Sequence, residues 1–132
     1  MSSISIENGL GIHPYALLAR ERRAEVLASN IANADTPGYK ARDLDFRAAL
    51  NSVQKRQNFS LEATNKDHFS VTLKGAEGEK YRNVNQPDTG DGNTVDVDVE
   101  RNLYLRNALE YQASLTFLNS RISGMKKALK GQ

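Results

Sequence analysis

The stretch Tyr104-Leu-Arg-Asn-Ala-Leu-Glu-Tyr-Gln-Ala-Ser-Leu-Thr-Phe-Leu-Asn-Ser-Arg-Ile-Ser-Gly-Met-Lys-Lys-Ala-Leu129 decides the fold. Tyr104, Ala108, Tyr111, Leu115, Leu118, Ile122, Met125 and Leu129 follow one another at steps of 4, 3, 4, 3, 4, 3 and 4. That is the a/d heptad of a helix whose seam faces other helices, sustained for about three to four heptads. Extended upstream to Val97, the helix is about 50 Å long at 1.5 Å per residue, whereas a compact ball of this chain length is only about 35 Å across. A ball cannot hide it, so the molecule is elongated or neighbouring copies cover the excess. Leu103, Leu105, Leu109 and Phe117 lie on other faces of the same helix and call for additional neighbours.

The bulk numbers fit a thin core. The 132 residues amount to one domain, and 39% hydrophobic content is low for a chain burying a thick interior alone. Eighteen basic and sixteen acidic side chains leave a net charge of +2, too weak a field to gather nucleic acid or an anionic membrane. There is no cysteine, hence no disulfide, thiol chemistry or thiolate zinc site. No run approaches the ~18 apolar residues of a membrane span. Met1 to Gly9 lacks the charged and apolar regions of a cleaved signal, and residues 1–13 read as a polar, disordered start.

A first helix is expected from about Pro14, a residue welcome in a first turn, to Ala34. Leu17, Ala24, Leu27 and Ile31 lie along one face, where small alanines admit a close partner, and the natural partner is the C-terminal seam. Tyr15, Ala19 and Val26 point the opposite way, toward a second neighbour. Arg20, Arg22 and Arg23 are interleaved with Glu21 and Glu25 and read as a solvated face, with Arg22 to Glu25 a supportive i,i+3 pair.

The sharpest punctuation is Asn33-Ala-Asp-Thr-Pro-Gly-Tyr39, because Pro37 disfavours helix at Thr36 and Thr-Pro-Gly suits a turn. Beyond it Tyr39 to Asp45 reads as extended and Phe46 to Val53 as a short helix. His68 to Leu73 and Glu79 to Val84, around a Lys74-Gly-Ala-Glu-Gly78 turn, read as a small hairpin. Asp88, Asp91, Asp96, Asp98 and Glu100 lack the glycine and glutamate of a calcium loop at Asn93 and Val99, and fit a helix start capped by Asn93 or Thr94. Lys126, Lys127 and Lys130 suit the negative end of that helix.

No catalytic chemistry emerges. His13 and His68 are isolated, no nucleophile is paired with a base, and no glycine-rich phosphate loop exists. Asp43 and Asp45, beside Lys40, Arg42 and Arg47, read as surface charge. No catalytic, metal or cofactor-binding residue is assigned.

Two blocks carry a resemblance. Leu27-Ala-Ser-Asn-Ile-Ala-Asn-Ala-Asp-Thr-Pro-Gly-Tyr-Lys-Ala-Arg-Asp-Leu-Asp-Phe46, and Asp91-Gly-Asn-Thr-Val-Asp96 leading into Tyr111-Gln112 and Gly124-Met125, resemble the rod proteins of the bacterial flagellar basal body, in particular the FlgB type of proximal rod subunit. The resemblance covers roughly Leu17 to Phe46 and Tyr81 to Leu129. It implies a structural subunit of the proximal rod, exported through the flagellar type III apparatus without cleavage and assembled in the periplasmic space. It implies as partners other copies of the chain, adjacent rod proteins, and the rod-to-ring adaptor and export-gate proteins at the rod base, with no nucleic acid and no direct membrane insertion.

The expected fold is therefore mainly α, a single rod-subunit domain over 1–132. A helix over 14–34 and a helix over 95–130 pack as a coiled-coil-like pair. An extended segment, short helix and small β-hairpin occupy 35–94. Leu17, Ala24, Leu27 and Ile31 are expected to meet Tyr104, Tyr111, Leu115, Leu118, Ile122 and Met125 within the subunit. Val26, Leu105, Leu109 and Phe117 are expected to pack between subunits. Asn33, Asp35, Thr36, Pro37, Gly38 and Tyr39 form the signature turn. The competing reading is a coiled-coil adaptor or secretion chaperone that builds no filament.

Overall fold

In a computed structural model, residues 9–59, 78–82 and 90–131 are described. In chain order they form α1 (His13–Ala32), β1 (Arg42–Leu44), α2 (Phe46–Phe59), β2 (Glu79–Tyr81) and α3 (Val97–Leu129). The fold is mainly helical, with two long terminal helices and a small antiparallel sheet between them. The 33 residues of α3 span about 50 Å. Asp96 caps its start, its carboxylate accepting from the amides of Asp98 and Val99 at 3.1 and 3.4 Å. Asn93 and Thr94, expected as caps, bond elsewhere: Thr94 Oγ1 accepts from the Ala41 amide at 2.8 Å, and Asn93 serves the end of α1.

Helices α1 and α3 run antiparallel: Asn30 meets Glu100, Arg20 meets Glu110, and Gly9, just ahead of α1, meets Arg121. The face that α3 turns to α1 is not the one its apolar heptad suggests. Along its first half the buried positions are Glu100 and Asn107, with Leu103, Glu110 and Ser114 half-covered. Tyr104 and Tyr111, expected in the seam, are 40% and 36% exposed. The contact face is thus turned roughly 70° around the helix from the heptad line at 100° per residue. Polar side chains that bond across the interface set that turn. Further along, Leu115, Leu118, Ile122 and Met125 are half-buried, as are Leu17, Ala24 and Ile31 on α1, while Leu27 is fully buried.

The second apolar face of α1 is covered by the chain itself. Ala19 forms the core cluster with Leu44 of β1 and Ala49 of α2, Phe46 packing against it. Val26, expected between subunits, is only 7% exposed. It is corrected to an interior position, because the segment that follows the signature turn folds back along α1. The core is built from small side chains, Ala16, Ala19, Ala41 and Ala49 with Val26, Leu27 and Leu44, so elements approach closely but bury little apolar area.

Strand β2 begins at Glu79, where the second strand of the hairpin is expected, and it pairs with β1: Arg42 faces Tyr81, Asp43 faces Lys80 and Leu44 faces Glu79. The ladder continues through Arg82 N–H to Ala41 O at 3.0 Å and Asp45 N–H to Gly78 O at 2.8 Å. The other expected strand, His68 to Leu73, lies outside the described residues.

Candidate assembly surface

Three features define the surfaces of this fold: a latch at one end, a polar hub behind it, and an exposed face on α3. The latch joins the two sequence blocks. Helix α1 ends at Ala32, ahead of Pro37, with the Asn33 side chain donating to Ser29 O at 2.8 Å and Thr36 Oγ1 to Asn33 Oδ1 at 3.2 Å. Asn93, 7% exposed, then reaches into the turn from 60 residues away. Its Nδ2 lies 3.0, 2.9 and 2.8 Å from the carbonyls of Asn33, Ala34 and Thr36, and its Oδ1 accepts from the Val95 amide at 2.8 Å.

One amide therefore satisfies carbonyls that the helix end leaves open. Gly38 N–H donates to Asp91 O at 2.8 Å, Thr94 N–H to Tyr39 O at 3.0 Å, and Lys40 Nζ to Gly92 O at 2.6 Å. Gly38 and Gly92 both adopt positive φ, 73° and 75°, and a Cβ on Gly92 would stand 3.6 Å from the Gly38 Cα. Glycine is the residue that takes this backbone without strain. Asp35, Thr36, Pro37 and Gly38 are exposed, and Tyr39 is half-buried with its hydroxyl donating to Asn30 Oδ1 at 3.2 Å.

The hub lies behind the latch. Asn30, with no exposed surface, uses its whole amide: Nδ2 donates to Arg42 O at 2.6 Å and Glu100 Oε2 at 3.0 Å, while Oδ1 accepts from Arg42 N–H at 3.1 Å and from Tyr39. It acts as a one-residue strand partner for β1. Arg82 bridges the carboxylates of Glu100 and Asp43, the latter at 3.1 Å. Arg23 closes on Asp43 with two bonds of 2.9 and 3.1 Å. Burial pushes the Asp43 carboxyl up, but the hydrogen bond and charge of Arg23, the Leu44 amide and Arg82 outweigh it, so Asp43 stays below the usual carboxylate range.

Several charges read from sequence as solvated are structural. Arg20 is sandwiched, its guanidinium 2.5 Å from Glu110, 3.1 Å from Ser114 and stacked 4.3 Å above the Phe46 ring. Arg22 does pair with Glu25 at 2.7 Å, and also with Glu79 at 2.7 Å. Asp45 accepts from the Ala48 amide at the start of α2 and from Lys80 at 2.9 Å. Asn30, Arg82, Asn93, Glu100 and Asn107 were not singled out as site residues. The heptad continues between Val97 and Tyr104 through Arg101, so the apolar spacing carries no signal for Glu100.

The remaining face of α3 is uncovered. Leu105, Leu109 and Phe117 are 62%, 73% and 66% exposed, with Tyr104 and Tyr111 flanking the first two. Among the described residues no His/Cys/Asp/Glu group is arranged to hold a metal ion, and no helix is long and apolar enough to cross a membrane.

Comparison with known proteins agrees with this architecture. Residues 12–40, α1 and the signature turn, match the family described as flagella basal body rod protein. The chain is 58% identical, over 98% of both sequences, to flagellar basal body rod protein FlgB of Aeromonas hydrophila. It is 48% identical to the FlgB of Cereibacter sphaeroides, over 93% of this chain and 94% of the relative. Against the FlgB of Escherichia coli K12 the identity is 43% over 95% of each. Identity at this level across nearly the whole length is decisive: the chain belongs to the FlgB family of flagellar basal-body rod proteins and is a structural subunit of the basal-body rod, not an enzyme.

Proposed function

We propose that this subunit builds the proximal rod as a two-helix stave, linking the membrane ring and export-gate base to the rest of the drive shaft. The observation that carries the reading is the uncovered apolar face of α3. Leu109 and its neighbours stay in water in the single chain although the same helix buries polar side chains on its other side. A helix so arranged has its second partner outside the chain. Other copies and adjacent rod proteins meet Leu105, Leu109 and Phe117, while Leu17, Ala24, Leu27 and Ile31 hold α1 to Leu115, Leu118, Ile122 and Met125 inside the stave. Torque is then carried by many repeated contacts, each modest alone. The rod-to-ring adaptor and export-gate proteins contact the basal end, and the chain reaches the periplasmic rod without signal cleavage.

The test is a deletion strain complemented with Leu109→Asp. An exposed position tolerates the charge in the single chain, so the purified variant keeps the wild-type melting curve, while cells fail to swim and isolated basal bodies end at the membrane ring. Swimming cells with complete rods would remove the α3 face from the assembly.

A further inference from the structure

The contact between α1 and α3 includes a side chain from a segment that belongs to neither helix. Where α1 and α3 close on one another beside the latch, the interface holds a carboxylate: Glu100 is 1% exposed and Asn30 is wholly buried against it. Asn30 supplies one neutral hydrogen bond to Oε2. The cation that pairs with Oε1 is Arg82, immediately after β2. Arg23 on α1 is no substitute, because its fork is committed to Asp43 of β1. The alternation Arg23, Asp43, Arg82, Glu100 thus runs from α1 through both strands to α3 and is charge-balanced only when all four elements are in place. A buried carboxylate without its cation is strongly unfavourable, whereas the same site filled by apolar side chains is not.

We propose that Arg82 and Glu100 form a lock that couples docking of the β1–β2 ribbon to closure of the terminal helices. Until the ribbon brings Arg82 in, closing α1 on α3 strands the Glu100 charge away from water. The pair therefore closes fully only around a docked ribbon. The orientation of α3, and with it the direction in which Leu105 and Leu109 face, is set in the same step. This concerns the subunit's own folding and does not depend on how the rod is built.

Hydrogen exchange followed by mass spectrometry on the full chain tests it. In Arg82→Leu, amides around Asn30 in α1 and in the first turns of α3 are expected to exchange about a hundredfold faster, together with those of the ribbon. In Arg82→Leu/Glu100→Leu the helix amides recover near wild-type protection while the ribbon remains fast. The lock is refuted if Arg82→Leu accelerates the ribbon alone, or if the double variant leaves the helices as unprotected as the single one. If Arg82→Leu does not accumulate as a folded chain, the double variant decides: protected helices support the lock and unprotected helices overturn it.

Discussion

Replacing Asn93 by alanine removes a side chain that ties the two sequence blocks together. The residue is 7% exposed, and its Nδ2 addresses the carbonyls of Asn33, Ala34 and Thr36 while Oδ1 takes the Val95 amide. Two amide hydrogens and one acceptor contact amount to three hydrogen bonds, each worth about 1 kcal/mol net. The total is about 3 kcal/mol, reduced to roughly 2 where water reaches the rim of the turn. For a domain of this length that lowers Tm by about 6–15 °C. Thermal unfolding of the full chain, followed by helical circular dichroism, reads this directly. Asn93→Asp sharpens the test, because it keeps the volume but aims an acceptor at three carbonyls, and it should cost at least as much as alanine. A drop in Tm under about 2 °C for both variants would refute the latch as a structural tie.

Further outcomes follow from the charges and from the free end of α3. Arg20→Ala removes the Glu110 pair, the Ser114 bond and the contact over Phe46, and is expected to cost about 2 kcal/mol in denaturant unfolding. Arg106→Ala, which breaks an exposed pair with the same Glu110 at 3.2 Å, should cost under about 0.5 kcal/mol. Asp43 is held below its ordinary carboxylate range, so its contribution is fully present above the unfolded pKa and fades as pH falls through the folded value. An acid titration of stability should therefore show a limb beginning near pH 3.8 and lying below it, shallower in Asp43→Asn. A Cβ on Gly9 would stand 2.4 Å from Met125 Sδ. Because that thioether is the end of a flexible side chain, Gly9→Ala should cost at most about 1 kcal/mol, and nothing in a Met125→Ala background.

The elements of this fold were legible because local rules govern them. Pro14 opens α1, Pro37 and Gly38 close it, and the acidic start and basic end of α3 mark its limits. Helical spacing sets Leu103, Leu105, Leu109 and Phe117 off the heptad line together, and of these Leu103 is half-covered while the other three are exposed. The rotation of α3 was not legible. Heptad reading assumes that apolar side chains choose the seam, and here Glu100, Asn107 and Glu110 choose it through partners 70 to 90 residues away. The same limit hid Val26, whose cover is β1 and its neighbours, and turned Arg20, Arg23 and Asp43 from apparent surface charge into interior ties.

The sequence alone specifies a mainly helical chain with long helices toward both ends and a small sheet between them, and it carries the family wording at 27–46 and 91–96. The helices and the wording depend on residues close together along the chain. The tertiary contacts add that the two blocks form one latch, that Asn30 completes the edge of β1, and that β2 pairs with β1. The physical reason is that a buried polar group has no preferred partner until the fold brings one within about 3 Å. Apolar periodicity announces a face, but a hydrogen bond names its partner only in space.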